Sequence, residues 1–147
     1  MQQLIKLFLR LSLAIGFLSA VADRLGWWPV EVSAWGNWGS FLDYTQTLNP
    51  WFPAATIPSV GFLITALEVI FAIGLIVGFK TAIVAKLSGY LLLVFAFAML
   101  FTTGIKGVFD YSVFTASAGA FSLSFLKGNF LELDTFFSKQ PRQGNKD

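Results

Sequence analysis

The residue with the clearest chemical potential is a glutamate inside an apolar run. Glu68 lies near the middle of residues 60–79, about eight residues from the start of that run. At about 1.5 Å of helical rise per residue, its carboxyl group lies ~12 Å deep. An acid at this depth in hydrocarbon is costly, so it should face a partner or a polar cavity. Glu68 is therefore the first candidate ligand-binding residue. The alternative is a structural acid that fixes helix packing against Ser and Thr side chains of the last apolar run.

An acidic and a basic residue, Asp23 and Arg24, close the first apolar run. By the same helical rise, Arg24 lies ~10 Å shallower than Glu68, which argues against a direct salt bridge. The two long side chains can instead line one polar funnel that opens at the outer interface. The equal alternative is an interfacial Asp23-Arg24 pair that only anchors the first helix.

An aromatic connection, residues 27–58, follows this pair and holds every tryptophan of the chain. Trp35, Trp38, Leu42 and Thr45 have the spacing of one helical face. Tryptophan concentrates at membrane boundaries, so we expect a short interfacial helix that ends before Asn49-Pro50. Trp35, Trp38 and Tyr44 are predicted to cover a ligand, and Asp110, at the start of the fourth apolar run, is predicted to complete the rim.

Several kinds of chemistry are excluded by residue type. The chain has no cysteine and no histidine, which removes thiol nucleophiles, imidazole acid–base catalysis and the usual zinc ligands. Acidic residues are too dispersed for a metal cluster, so we expect no metal and no covalently bound cofactor, and no catalytic residue can be assigned. The net charge of +2 is too small and too scattered for nucleic-acid binding.

Composition then indicates the solvent that surrounds these residues. Of 147 residues, 56% are hydrophobic and 12% charged, against roughly 45–50% and about 25% in soluble domains. Apolar runs long enough to cross a bilayer are residues 7–26, 60–79, 82–103 and 108–126. We therefore predict an all-α polytopic membrane protein, an antiparallel four-transmembrane-helix bundle with an outer aromatic-rich loop, in contact with the lipid bilayer.

Basic residues predict the orientation. Only Arg24 and Lys106 are predicted to lie on one side of the membrane. Eight basic residues are predicted to lie on the other side, namely Lys6, Arg10, Lys80, Lys86, Lys127, Lys139, Arg142 and Lys146. The positive-inside rule therefore predicts that both termini are cytoplasmic. Within this scheme, Arg10 is expected to snorkel to lipid phosphate.

The two ends of the chain carry separate predictions. The first run also resembles a signal peptide with a cleavage site at Ala20-Val21-Ala22, but Arg10 inside the apolar region argues against cleavage. Residues 129–147 are predicted to be a cytoplasmic interfacial segment and a disordered tail. The residues expected on the inner interface are Phe130, Leu131, Leu133, Phe136 and Phe137.

Two stretches carry a family resemblance. They are residues 11–26, LSLAIGFLSAVADRLG, and residues 68–80, EVIFAIGLIVGFK. Together with the Trp- and Pro-containing loop between them, they resemble the DoxX-like family of small four-span membrane proteins. In that family a basic residue near the outer end of helix one is followed by an acidic residue in helix two, and Arg24 and Glu68 match those positions. The resemblance covers residues 7–126, within a predicted domain of residues 1–128.

The resemblance implies a function in a membrane oxidoreductase system of the bacterial inner membrane. Some members are associated with thiosulfate:quinone oxidoreductase, and related four-span proteins act as chaperones or cargo receptors. Since this chain has no redox residues of its own, the implied function is a non-catalytic quinone- or lipid-binding or anchoring subunit, with an oxidoreductase partner protein. Glu68 would hydrogen-bond the head group of a quinone or another amphipathic small molecule, and Arg24 would supply positive charge.

Two other functions remain open. The aromatic outer loop can dock another protein, which would make the chain an assembly factor or chaperone-like interaction protein. A small transporter is less favoured because the chain has a single intramembrane acid and no interrupted helices.

Overall fold

The computed structural model describes residues 1–128 and 131–135, and within them the regular structure is helical. The α-helices are α1 (Gln2–Arg24), α2 (Trp38–Leu48), α3 (Ile57–Val77), α4 (Thr81–Thr102), α5 (Ile105–Asp110) and α6 (Val113–Phe125). A 3₁₀ turn, Ala54–Thr56, leads into α3.

Three helices are long and apolar enough to cross a membrane. They are Gln2–Arg24 with 23 residues, Ala54–Val77 with 24, and Thr81–Thr102 with 22. A crossing needs about 20 apolar residues. The helical, membrane-spanning character predicted from composition is therefore supported by three elements of the structure.

The fourth predicted run, residues 108–126, is not one continuous helix. It is divided between the end of α5 and α6, and Ser112 between them has a left-handed φ of 53°. The polar sequence Asp110-Tyr111-Ser112 interrupts the apolar run at this point. The 13 residues of α6 extend ~20 Å, less than the ~30 Å hydrocarbon thickness.

The long helices pack through small residues. Helix α1 packs against α3 and α6, and α4 packs against α3 and α6. A Cβ atom at Gly74 would lie 3.2 Å from Val84, and one at Gly89 would lie 2.9 Å from the Phe121 ring. Small residues permit close approach of helices where no hydrophobic effect drives association. The buried residues between these helices are Ala14, Phe17, Phe71, Ala72, Leu75, Ala85 and Leu123.

The chain reversals bring distant segments together at one end, which we call the basic end (Lys6, Arg10, Gly78, Lys80 and Glu132). Lys6 Nζ donates to the carbonyl of Gly128 at 2.6 Å and pairs with Glu132 at 2.9 Å. The opposite end is called the aromatic end (Arg24, Trp35, Phe41 and Glu68), and there α2 packs against α3. The start of α1, the end of α3, the start of α4 and the segment after α6 therefore share one end.

Residues 131–135 fasten the basic end by hydrogen bonds to exposed helix termini. The Asp134 carboxylate accepts from the backbone N–H of Lys80 at 2.7 Å and of Thr81 at 3.1 Å, where α4 begins. Leu133 N–H donates to the carbonyl of Val77, the last residue of α3, at 3.0 Å. First N–H groups and last carbonyls of helices have no partners within the helix, so this segment supplies them. Phe130, Phe136, Phe137 and the tail lie outside the described residues.

The sequence predicts that Arg10 snorkels to lipid phosphate, and the structure shows that it does not. Its exposed fraction is 0%. Its Nε donates to the Leu75 carbonyl at 2.8 Å, and its Nη2 donates to the Ile76 carbonyl at 2.9 Å and the Leu131 carbonyl at 3.1 Å. The last carbonyls of α3 need donors, and the planar guanidinium offers five of them in a fixed fork. Gly78, in a left-handed conformation with φ 69°, leaves the necessary space, because a Cβ there would lie 2.7 Å from Arg10 Nη2.

Candidate functional site

The aromatic end contains a buried ion pair between α1 and α3. Arg24 and Glu68 have exposed fractions of 3% and 2%. Arg24 Nη2 donates to Glu68 Oε1 at 3.0 Å, and Nη1 contacts Glu68 Oε2. Nη1 also donates to Thr65 Oγ1 at 2.9 Å. Bidentate arginine–carboxylate contacts of this kind fix geometry as well as charge.

Arg24 and Glu68 therefore form the direct salt bridge that the sequence prediction excluded, and that prediction is wrong. It assumed that both apolar runs end at the same level and that only helical rise separates the two groups. In the structure the arginine reaches inward along α3, where Thr65, one turn before Glu68, accepts from the same guanidinium. The structural alternative, an acid that fixes helix packing, stays open, but the partner of Glu68 is Arg24 rather than a hydroxyl group of α6.

Aromatic rings cover the guanidinium. Arg24 Cζ lies 4.1 Å from the centroid of the Phe41 ring and 5.2 Å from that of Trp35. Both distances fall within the ~6 Å range of cation–π attraction. Trp38 packs against Phe41 at 5.3 Å between centroids, and Tyr44 against Trp35 at 5.9 Å. Of the three predicted covering residues, Trp35 therefore contacts the arginine, whereas Trp38 and Tyr44 pack against the rings that cover it.

Helix α2 carries Trp38, Phe41 and Tyr44. It ends where the sequence predicts, but it begins after Trp35, which the sequence placed on the same helical face. Helix α2 starts at Trp38, and the side chain of its N-cap residue, Asn37, accepts from Ser40 N–H at 2.9 Å. Its last residue is Leu48, before Asn49-Pro50, as expected. Trp35 lies outside the helix, in the loop before it. Phe41 was missed, although its position three residues after Trp38 places it on the buried face with Thr45.

Asp23 has a different place from the one predicted. Its carboxylate accepts from the backbone N–H groups of Ala34 and Trp35, both at 3.0 Å, and from the Ser33 hydroxyl group. It does not contact the Arg24–Glu68 pair through any of these bonds. Asp23 therefore fastens the loop that holds Trp35 over Arg24, which makes it a positioning residue.

Asp110 forms an ion pair within its own helix. It contacts Lys106, four residues earlier on α5, and both side chains are largely exposed. No hydrogen bond or ion pair links Asp110 to Arg24 or Glu68 within residues 1–128 and 131–135, and its place at the rim stays a prediction. A charge near a helix end is satisfied most simply by solvent and an i,i+4 partner, and here it has both.

Tyr44 keeps its phenol group neutral. Burial raises the pKa of Tyr44 above its ordinary value, and the nearby Tyr111 raises it further. At neutral pH the half-buried Tyr44 is therefore an uncharged hydrogen-bonding group beside the Trp35 ring.

One donor in the ion pair has no partner. Arg24 Nε is buried and has no hydrogen-bond partner among the residues that the structure describes. A buried unpaired donor costs about 1–3 kcal/mol, so an acceptor atom placed against it would be stabilised.

Within residues 1–128 and 131–135, no group of three or more His, Cys, Asp or Glu side chains is arranged to hold a metal ion.

These features define an all-helical chain with three helices of membrane-spanning length and a buried, aromatic-covered ion pair at one end. Comparisons with models of known families, with curated proteins and with solved structures find no match for this chain. The resemblance to the DoxX-like family stays a prediction from the residues quoted above.

Proposed function

We propose that this chain is a DoxX-like integral membrane protein of the bacterial inner membrane that binds the head group of a quinone at the aromatic end. In this proposal it is a non-catalytic binding or anchoring subunit, and the redox chemistry belongs to the quinone and to an oxidoreductase partner protein. The fourth crossing is made by α6 together with its flanking residues, and both termini are cytoplasmic.

The observation that carries this proposal is the unpartnered Nε–H of Arg24. The charge of Arg24 is already offset by Glu68, so the site favours a neutral acceptor over an anion. A quinone carbonyl is a neutral acceptor on a flat ring. The Phe41 and Trp35 rings on the guanidinium make the surroundings of this donor aromatic and apolar, which suits a quinone ring.

A charge-conserving substitution tests this proposal. Arg24→Lys keeps a cation opposite Glu68 but removes the Nε–H donor. We expect it to weaken binding of a short-tailed ubiquinone about tenfold, as for the loss of one hydrogen bond to a charged group. Tryptophan fluorescence in mild detergent measures the binding, because all five tryptophans lie in residues 27–51. Organic extraction and mass spectrometry of the purified protein show whether a native quinone is retained.

The matched control for this test is Lys106→Gln, which removes an exposed cation at the other ion pair of the same end. It should leave quinone affinity unchanged. Equal affinity of wild type and Arg24→Lys would contradict the proposed site.

A second function, docking of a partner protein, is favoured by the exposed part of the aromatic loop. Trp27 and Trp51 have exposed fractions of 74% and 62%, and Val30 and Val32 beside Trp27 are also exposed. The double variant Trp27→Ala, Trp51→Ala separates the two functions. Loss of a co-purifying protein with unchanged quinone binding would favour an assembly factor, whereas retention of any such protein would count against it.

The proposed topology is testable because the chain has no native cysteine. Single cysteines at Gln3, Glu31 and Lys127, all exposed positions, can be labelled with a membrane-impermeant maleimide in spheroplasts. We expect labelling at position 31 only, until the membrane is permeabilised. Labelling of position 127 in intact spheroplasts, with position 3 protected, would show three crossings instead of four.

A further inference from the structure

A shallow apolar groove lies between α4 and α6, away from the Arg24–Glu68 pair. Its volume is about 260 Å³, and it is lined by Ala82, Ile83, Lys86, Leu87, Ser124 and Phe125. The residues Ile83, Leu87 and Phe125 are exposed, with fractions of 57%, 46% and 80%. A groove of this size and openness fits part of one extended hydrocarbon chain rather than an enclosed ligand.

Charge distinguishes this groove from the rest of the apolar surface. Lys86 is the charged residue of its lining, and no acidic side chain from residues 1–128 or 131–135 lines it. Lys86 is the sixth residue of α4, so it lies ~7–8 Å along the helix from Thr81, near the level of lipid head groups. Lys127, which is exposed, follows Phe125 by two residues in extended chain, a distance of ~7 Å.

The buried cations of the basic end are already engaged. Lys6 and Arg10 pair with Glu132, and the Asp134 carboxylate accepts from backbone N–H groups at the start of α4. By contrast, Lys86 and Lys127 form neither a hydrogen bond nor an ion pair within residues 1–128 and 131–135. Two unpaired positive charges therefore flank one apolar groove.

We propose that this groove binds one anionic phospholipid of the leaflet at the basic end. Its acyl chain lies against Ile83, Leu87 and Phe125, and its phosphate lies between Lys86 and Lys127. Positive charges near a bilayer surface attract anionic head groups, and here the apolar groove fixes where the lipid lies. This site is independent of the quinone site, because it lies at the other end of the molecule.

Native mass spectrometry of the detergent-solubilised chain tests this site. The probes are phosphatidylglycerol and phosphatidylcholine with the same acyl chains. We expect one retained phosphatidylglycerol, bound more tightly than phosphatidylcholine. The variant Lys86→Gln should weaken phosphatidylglycerol about fivefold, as expected for one lysine near an anionic head group. Phosphatidylcholine should be weakened less, because its choline cation offsets the charge of its phosphate.

Two further variants and one competitor make the test decisive. Lys106→Gln, an exposed lysine at the aromatic end, should have no effect on either lipid. Ala82→Phe fills the groove and should lower retention of both lipids, and glycerol phosphate without acyl chains should not displace the bound lipid. Equal binding of the two lipids, an equal loss in Lys106→Gln, or displacement by glycerol phosphate would each overturn the proposal.

Discussion

Replacing Glu68 by alanine is expected to lower the free energy of unfolding by about 3–5 kcal/mol, because it leaves the Arg24 guanidinium buried without a counter-charge. Arg24 has an exposed fraction of only 3%, so water cannot replace the lost carboxylate without a rearrangement of α2. Reversible unfolding in mixed micelles of increasing sodium dodecyl sulfate content measures this loss. Tryptophan fluorescence is a suitable signal, because Trp35 lies over the guanidinium.

The double variant Arg24→Met, Glu68→Leu separates the stability of the site from its function. Two apolar side chains of similar volume remove both charges together, and replacements of this kind are often neutral or stabilising. We expect unfolding close to that of wild type together with loss of quinone binding. The geometry indicates that the ion pair is desolvated. If Glu68→Ala instead lowers the free energy of unfolding by less than about 1 kcal/mol, the pair is exposed to water and this prediction is contradicted.

The second large effect is expected at the basic end. Arg10→Met should destabilise the chain by about 3–5 kcal/mol, because it leaves the Glu132 carboxylate without one of its two cations and removes buried donors. The Leu75, Ile76 and Leu131 carbonyls all lose hydrogen bonds. The same unfolding measurement in mixed micelles applies.

The control for this prediction is Arg10→Lys. Lysine keeps the positive charge beside Glu132 but cannot reach several carbonyls at once, since its ammonium is a point charge rather than a planar fork. We expect an intermediate loss of stability. Equal unfolding of Arg10→Met and wild type would mean that Arg10 is solvated in the membrane, as the sequence alone predicted.

The sequence predicts those helices and helix ends that a local residue pattern specifies. The long apolar runs predicted helices α1, α3 and α4, and Asn49-Pro50 predicted the end of α2. Glu68 was recognisable because a buried acid in an apolar run needs a partner. Of the three residues predicted to cover a ligand, Trp35 lies over Arg24, and the ligand itself stays a prediction.

What the sequence does not predict depends on contacts between distant segments. The partner of Glu68 is 44 residues away, and helical rise alone gave the wrong relation between the two. The residues that hold Arg10 come from the end of α3 and from Leu131, which no periodicity links to α1. Phe41 was missed because one phenylalanine among 17 carries no signal until the buried face of α2 is known.

The contact between Arg10 and Leu131 has a consequence for the order of biosynthesis. The two residues are separated by 121 positions, which a ribosome translates in roughly 6–25 s at about 5–20 residues per second. During that interval the Leu131 and Glu132 partners of α1 have not yet been made, so Lys6 and Arg10 are free to contact lipid phosphate at the membrane surface. The snorkelling position that Arg10 lacks in the finished protein is thus available to it in the nascent chain. Completion of the C-terminal segment then transfers Arg10 from the lipid to the protein, so the basic end closes only after the last helix has been made.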